Sequence, residues 1–262
     1  MVRDFLMICL VAVLVLGGCT ESPVVLEEGD AGVDIDARGE GDSADGSTND
    51  SGGDVEADVE GEASQDVSPV EGPGTPIGTF ENTYYYLAEE EAHSGAPEAT
   101  LYDSSCEAIA VVSSSFANAA CIEGTALLAD GRVINYFQPC SCGGPCTYCW
   151  SVMDPDEFAW GMGSQANPLE PLRSWAVDTD LIAYGTVLYV EEWDGMVIPE
   201  VGELGGEPHD GCFRADDVGG AIQGFHVDIF AGSRDMWQAL EGIFPTRTEF
   251  VVYEDSPRCE HL

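Results

Sequence analysis

Aromatic residues are absent from residues 20–78 and begin abruptly at Phe80, and this break limits what the chain can fold into. The aromatic-free stretch holds 17 acidic residues and one basic residue, Arg38, in a background of Gly, Ser, Ala, Val and Thr. Such a segment buries too little apolar surface to offset the entropy of ordering it. Residues 19–78 are therefore expected to form a disordered, self-repelling acidic tether. The remainder, 79–262, is about 185 residues long, an ordinary size for one domain. It carries 31 acids and six Arg, and the whole chain has a formal net charge of −41 with no Lys. A surface so poor in cations does not neutralise phosphates, which excludes nucleic acid as a partner. Polybasic adhesion to anionic lipid is excluded for the same reason.

The N-terminus reads as an export address. Arg3 precedes an apolar run from Phe5 to Leu16, and Leu16-Gly17-Gly18-Cys19 follows. Twelve apolar residues fall short of the ~20 that span a bilayer and fit the core of a secretory signal. The Leu-Gly-Gly-Cys ending resembles a bacterial lipobox, which implies a signal peptide over 1–18, cleavage before Cys19 and acylation of its thiol. Membrane attachment is then expected through that lipid alone. Thr20, rather than Asp, follows the cysteine, which in Gram-negative lipoproteins directs export to the outer membrane. The predicted location is the cell envelope.

Cysteine usage agrees with export. Beyond Cys9 and Cys19 there remain eight: Cys106, Cys121, Cys140, Cys142, Cys146, Cys149, Cys212 and Cys259. An even set in an exported domain predicts a disulfide framework. Cys212 and Cys259 are candidates for a pair, although sequence does not fix the connectivity. The cluster Cys140-x-Cys142-x3-Cys146-x2-Cys149 also has the donors for a tetrahedral zinc site, an alternative that an oxidising compartment disfavours. No motif for a catalytic metal, a nucleotide or another cofactor is found, and none is expected.

Periodicity over 79–262 predicts mostly strands. Short alternating or β-branched runs occur at 83–87, 108–112, 132–137, 174–178, 186–191, 225–230 and 249–253, separated by Gly, Pro and Asp-Gly punctuation. One helix stands out. Ser233 can cap it, Asp235 lies in its first turn, and Met236, Trp237, Leu240, Ile243 and Phe244 form an apolar stripe. Many short strands with few helices predict a small β-barrel. Trp150, Trp160, Trp175 and Trp193 could stack on sugar rings, although burial in the core is the default for tryptophan in a domain of this size.

The chemistry concentrates between Asp216 and Phe230. Gly219, Gly220 and Gly224 imply tight backbone geometry. Beyond them, Val227 and Ile229 alternate with His226 and Asp228, so strand periodicity puts the two polar residues on one face. The blocks Ser174-Trp-Ala-Val-Asp178, Tyr184-Gly-Thr-Val-Leu-Tyr189, Asp217-Val-Gly-Gly-Ala-Ile-Gln-Gly224 and His226-Val-Asp-Ile-Phe230 resemble the 3D domain. That family is named for three aspartates and is similar to the barrel of the membrane-bound lytic murein transglycosylase A group. The strong motifs cover residues 173–254, and Thr83–Ala88 resembles the opening strand of the barrel.

The resemblance implies a mainly β fold, a six-stranded double-psi β-barrel over 79–262 with one or more short helices and a cysteine-rich segment at 106–160. It implies peptidoglycan glycan strands as the partner and an O-glycosyl bond as the target. It assigns Asp178, Asp217 and Asp228 as the catalytic set, with Asp228 acting as acid and then base and closing a 1,6-anhydro ring. Asp217 would be the neighbour that raises the Asp228 pKa, and Asp178 would hold position or stabilise positive charge at the anomeric carbon. Gly219, Gly220, Gln223 and His226 are the implied substrate-binding positions, Gln223 standing where relatives carry Lys. Residues 106–160 do not resemble the second domain of those relatives, so a site with one wall is expected. Two other functions remain open at this point: a non-catalytic peptidoglycan-binding or expansin-like module, and a structural lipoprotein whose aspartates only fix the fold.

Overall fold

In the computed structural model the described residues are 72–262. The expected signal peptide 1–18, the lipid site Cys19 and the tether up to residue 71 lie outside them. The first strand, β1 (Thr75–Tyr86), begins earlier than composition suggests. Its opening residues carry little apolar surface but pair in the backbone with the last strand, Thr75 opposite Glu254 and Gly78 opposite Val252.

In chain order there follow β2 (Ala88–Glu89), β3 (Pro97–Tyr102), β4 (Ala108–Ser113), helix α1 (Ser114–Glu123), β5 (Thr125–Leu127), β6 (Val133–Pro139) and β7 (Tyr148–Val152). Next come β8 (Ser174–Ala176), β9 (Val187–Val197), β10 (Pro208–Asp217), β11 (His226–Gly232), helix α2 (Arg234–Glu241) and β12 (Glu249–Glu254). Six strands close into a barrel in the order β1-β11-β8-β10-β9-β12. The pairings β1/β11 and β8/β10 are parallel, and the other neighbours are antiparallel. The six-stranded double-psi barrel anticipated above is therefore present.

The barrel closes around aromatic and branched side chains, among them Phe80, Trp175, Trp193, Phe213, Ile229 and Phe250. Trp175 stacks on Phe213 with centroids 4.5 Å apart. Trp150, Trp175 and Trp193 are all fully buried, so they pack the interior and present no sugar-stacking face. Helix α2 is capped as expected: the Ser233 hydroxyl accepts the Met236 N–H. The helix ends at Glu241, leaving Ile243 exposed while Phe244 returns to the barrel core.

The segment between β1 and β8 departs most from expectation. It builds a second compact layer: a sheet in the order β2-β5-β6-β7, the β3/β4 hairpin and α1. Its core is small, with Leu101, Phe116, Leu128, Ile134 and Trp150 as the large members beside Ala117 and Ala120. Helix α1 runs from a Ser113 cap, whose hydroxyl accepts the Phe116 N–H at 3.2 Å, to Gly124 in the left-handed region at φ 76°. Three disulfides bind this layer: Cys106–Cys142, Cys121–Cys146 and Cys140–Cys149. Those pairs use every cysteine of the 140–149 cluster, which removes the thiolates a zinc site would need. The fourth disulfide, Cys212–Cys259, staples β10 to the C-terminal turn.

Candidate active site

A row of side chains crosses four barrel strands. Ala176 on β8 is the register partner of Asp228 on β11 and also of Asp217 on β10. Thr83 on β1 is the register partner of Asp228 on its other side. The order across the sheet is thus Thr83, Asp228, Ala176, Asp217. With strands spaced ~4.8 Å apart, the two aspartates lie about 10 Å apart at the backbone, separated by one small residue. Val227 and Ile229 point into the barrel core, so alternation turns Asp228 outward onto the same face as Tyr85 and Phe230.

That face forms the floor of a groove of about 610 Å³ lined by Asp217, Asp228, Tyr85 and Ala176 from the barrel. The opposite side is lined by Glu123, Tyr136, Phe137 and Tyr148 from the disulfide-bound layer. The groove therefore has two walls, which corrects the one-walled expectation. Met162, Gly163 and Ser164 also line the groove, and this stretch is anchored to the second wall by Asn135. The Asn135 amide bonds both the N–H and the carbonyl of Met162, each at 3.0 Å.

Burial pushes both floor carboxyls upward. Burial raises the Asp228 pKa to about 6, assisted by the Asp217 charge and opposed by the hydrogen bond from Thr83. The Thr83 hydroxyl donates to Asp228 Oδ1 at 2.7 Å and lies 2.9 Å from His226 Nε2. With one proton to give, the hydroxyl donates to the carboxylate and accepts from the imidazole. Burial also pushes Asp217 upward. Its Oδ1 accepts from the Ser164 hydroxyl and from the Val218 N–H, the latter at 2.9 Å. Replacing Thr83 by Val removes the donor that stabilises ionised Asp228. Its pKa should rise further, by about one unit for one charge-assisted hydrogen bond. Carbon-detected NMR of the carboxyl checks this, and an unchanged titration midpoint would count against it.

The sequence-predicted positions divide into two sets. Asp217, Asp228, Gly219 and Gly220 line the groove. Gly219 sits where a Cβ would come within 2.6 Å of the Ile222 side chain, which would have to move to admit any larger residue. Asp178, Gln223 and His226 are not among the lining residues. Asp178 lies two residues beyond the end of β8, and its Oδ2 accepts the Gly224 N–H at 2.7 Å. That bond lowers its pKa and ties down the glycine loop. Gln223 turns back onto the Ile222 carbonyl, and His226 reaches Asp228 only through Thr83. Thr83, Tyr85, Ser164 and Glu123 were not singled out from sequence. The signal for Glu123 was an acid directly before a helix-ending glycine, the wrong end for the helix dipole.

Fold and floor together define a 3D-domain-like β-barrel carrying paired carboxyls in a groove. Residues 173–254 match the family model described as "3D domain". The chain is similar to solved murein transglycosylases. One is Escherichia coli MltA with bound chitohexaose, at 18% identity over 68% of this chain and 71% of that one, with a TM-score of 0.47. Another is a membrane-bound lytic murein transglycosylase from Agrobacterium tumefaciens, at 13% identity over 67% and 73%, with a TM-score of 0.45. A third is the lytic transglycosylase LtgG of Burkholderia pseudomallei, at 18% identity over 68% and 72%, with a TM-score of 0.35. No curated protein matches the chain.

Proposed function

We propose that this protein is an envelope lipoprotein that cleaves peptidoglycan glycan strands, with Asp228 as its essential acid–base group. The observation that carries the reading is the placement of Asp228: mostly buried on the groove floor, flanked by Thr83 and Ala176, with a pKa raised to about 6 by burial. A carboxyl with its pKa raised to about 6 exchanges its proton close to the working pH, so it can both give a proton to a glycosidic oxygen and take one back. Tyr136, Phe137 and Tyr148 on the facing wall supply rings against which sugar faces stack. The match of 173–254 to the 3D domain supports the same substrate class.

In this mechanism the bond from the anomeric carbon to the leaving oxygen breaks as that oxygen takes a proton. The C6 hydroxyl of the same sugar then attacks the anomeric carbon and loses its own proton, closing a 1,6-anhydro ring without water. The Asp217 charge adds to burial in raising the Asp228 pKa. Asp178 holds the Gly224 loop rather than the sugar. Lipidation at Cys19 places the domain at the outer membrane in this reading.

The test is incubation of the lipid-free ectodomain, from Gly72 on, with purified sacculi, followed by mass spectrometry of released material. Anhydro-muropeptides are the expected product. Fragments with ordinary reducing ends would retain the glycosidase and remove the intramolecular closure. Protein that pellets with sacculi and releases nothing would establish the wall-binding module instead.

A further inference from the structure

The groove contains a third carboxyl that the three-aspartate pattern does not include. Glu123 is the last residue of α1, and it lines the same groove as Asp217 and Asp228 but from the disulfide-bound wall. Three features make its position costly for a residue with no task. It puts a negative charge at a helix C-terminus, where the dipole disfavours it. It is half-buried beside aromatic side chains. It lines the same groove as Asp217 and Asp228. Burial, and then the Asp228 charge, raise its pKa to about 7 against a lowering hydrogen bond from the Tyr86 N–H. That N–H donates to Glu123 Oε2 at 3.0 Å and fixes the carboxyl at the point where the chain leaves the barrel for the second sheet.

A separate feature of the groove floor is a buried hydroxyl beside Asp217. Tyr85 is 6% exposed and lines the groove, yet its hydroxyl has no hydrogen-bond partner of acceptable geometry among the described residues, although Asp217 is its neighbour. A buried hydroxyl left unpaired is expensive unless something polar enters the groove to meet it.

We propose that Glu123 is a second catalytic carboxyl of this groove, acting from the opposite wall on the same glycosidic bond as Asp228. The inference rests on the glycan-cleaving reading above and changes only how its two proton transfers are divided. Neutral Glu123 gives its proton to the leaving oxygen as the anomeric C–O bond breaks. Ionised Asp228 faces the positive charge that develops at the anomeric carbon and then takes the proton from the attacking hydroxyl. The new C–O bond closes, leaving Asp228 protonated and Glu123 ionised, and one proton returns from Asp228 to Glu123 through solvent.

Glu123→Gln tests this cleanly, because the amide oxygen can still accept the Tyr86 N–H while the acid is gone. The variant should cleave sacculi about 100-fold more slowly than wild type, as expected for loss of a general acid. It should act at close to the wild-type rate on a 2,4-dinitrophenyl chito-oligosaccharide, whose leaving group needs no proton, and Glu123→Asp should recover part of the loss on sacculi. Asp228→Asn should be slow on both substrates. Equal slowing of Glu123→Gln on both substrates would mean a structural part only and would overturn the proposal, as would an unimpaired rate on sacculi. Either result leaves the glycan-cleaving reading standing, whereas a wild-type protein that releases nothing removes both.

Discussion

Asp228→Asn is expected to abolish release of muropeptides from sacculi while making the domain more stable above neutral pH. The loss follows from chemistry: asparagine neither donates nor accepts the transferred proton, and such transfers contribute about 10²–10⁴ in rate. The gain follows from linkage. Asp228 rises from 3.8 to about 6 on folding, mainly by burial. A raised carboxyl favours folding while protonated, so this contribution is fully present below pH ~4 and is lost as pH rises through about 6. The shift corresponds to about 3 kcal/mol of destabilisation once the group is ionised. Asparagine is nearly isosteric, carries no charge to desolvate, and keeps an oxygen for the Thr83 donor. At pH 8 the variant should melt several degrees above wild type, at roughly 2–4 °C per kcal/mol for a domain of this size. Near pH 4 the two should melt together. A variant less stable than wild type at pH 8 would show that the carboxylate is better satisfied than its burial indicates.

What the sequence disclosed and what it withheld have separate physical origins. Val227 and Ile229 alternate against His226 and Asp228, and that local period suffices to place β11 and turn Asp228 out of the core. The row Thr83–Asp228–Ala176–Asp217 is different in kind. It depends on parallel pairings between strands far apart in the chain, and no local pattern encodes that register. Asp178 is assigned by the family resemblance rather than by alternation; it lies two residues past the end of β8, where its carboxylate accepts a loop N–H. Strand β10 went unread because Pro208, His209, Asp210 and Gly211 look like a loop, yet its flanks are paired by β9 and β8. The second wall was hardest to see. Its strands include segments of two and three residues, and α1 is built largely from Ser and Ala, which gives no apolar stripe. Glu123 was hidden with it.

Because that wall has so few large apolar side chains, its disulfides should decide whether the groove exists at all. Leu101, Phe116, Leu128, Ile134 and Trp150 are the bulk of its core, whereas the barrel is packed by Phe80, Trp175, Trp193, Phe213 and Phe250 among others. Each cross-link typically contributes about 2–4 kcal/mol, and three of the four lie in the weaker layer. The Cys121–Cys146 bond matters most for the site. It ties the last turn of α1, two residues before Glu123, to the segment leading into Tyr148 and β7. Substituting both cysteines by serine is expected to cost about 3.5 kcal/mol for a loop of 25 residues. Limited proteolysis should then cut within 106–152 while the barrel, which keeps Cys212–Cys259, stays resistant. Cleavage of sacculi should fall with the protection of that segment, because Glu123, Tyr136 and Tyr148 would no longer face Asp228. Full reduction should widen the gap into two thermal transitions, the lower belonging to the second wall. A single unchanged transition after loss of the Cys121–Cys146 bond would instead show that contacts with the barrel hold the wall in place without it.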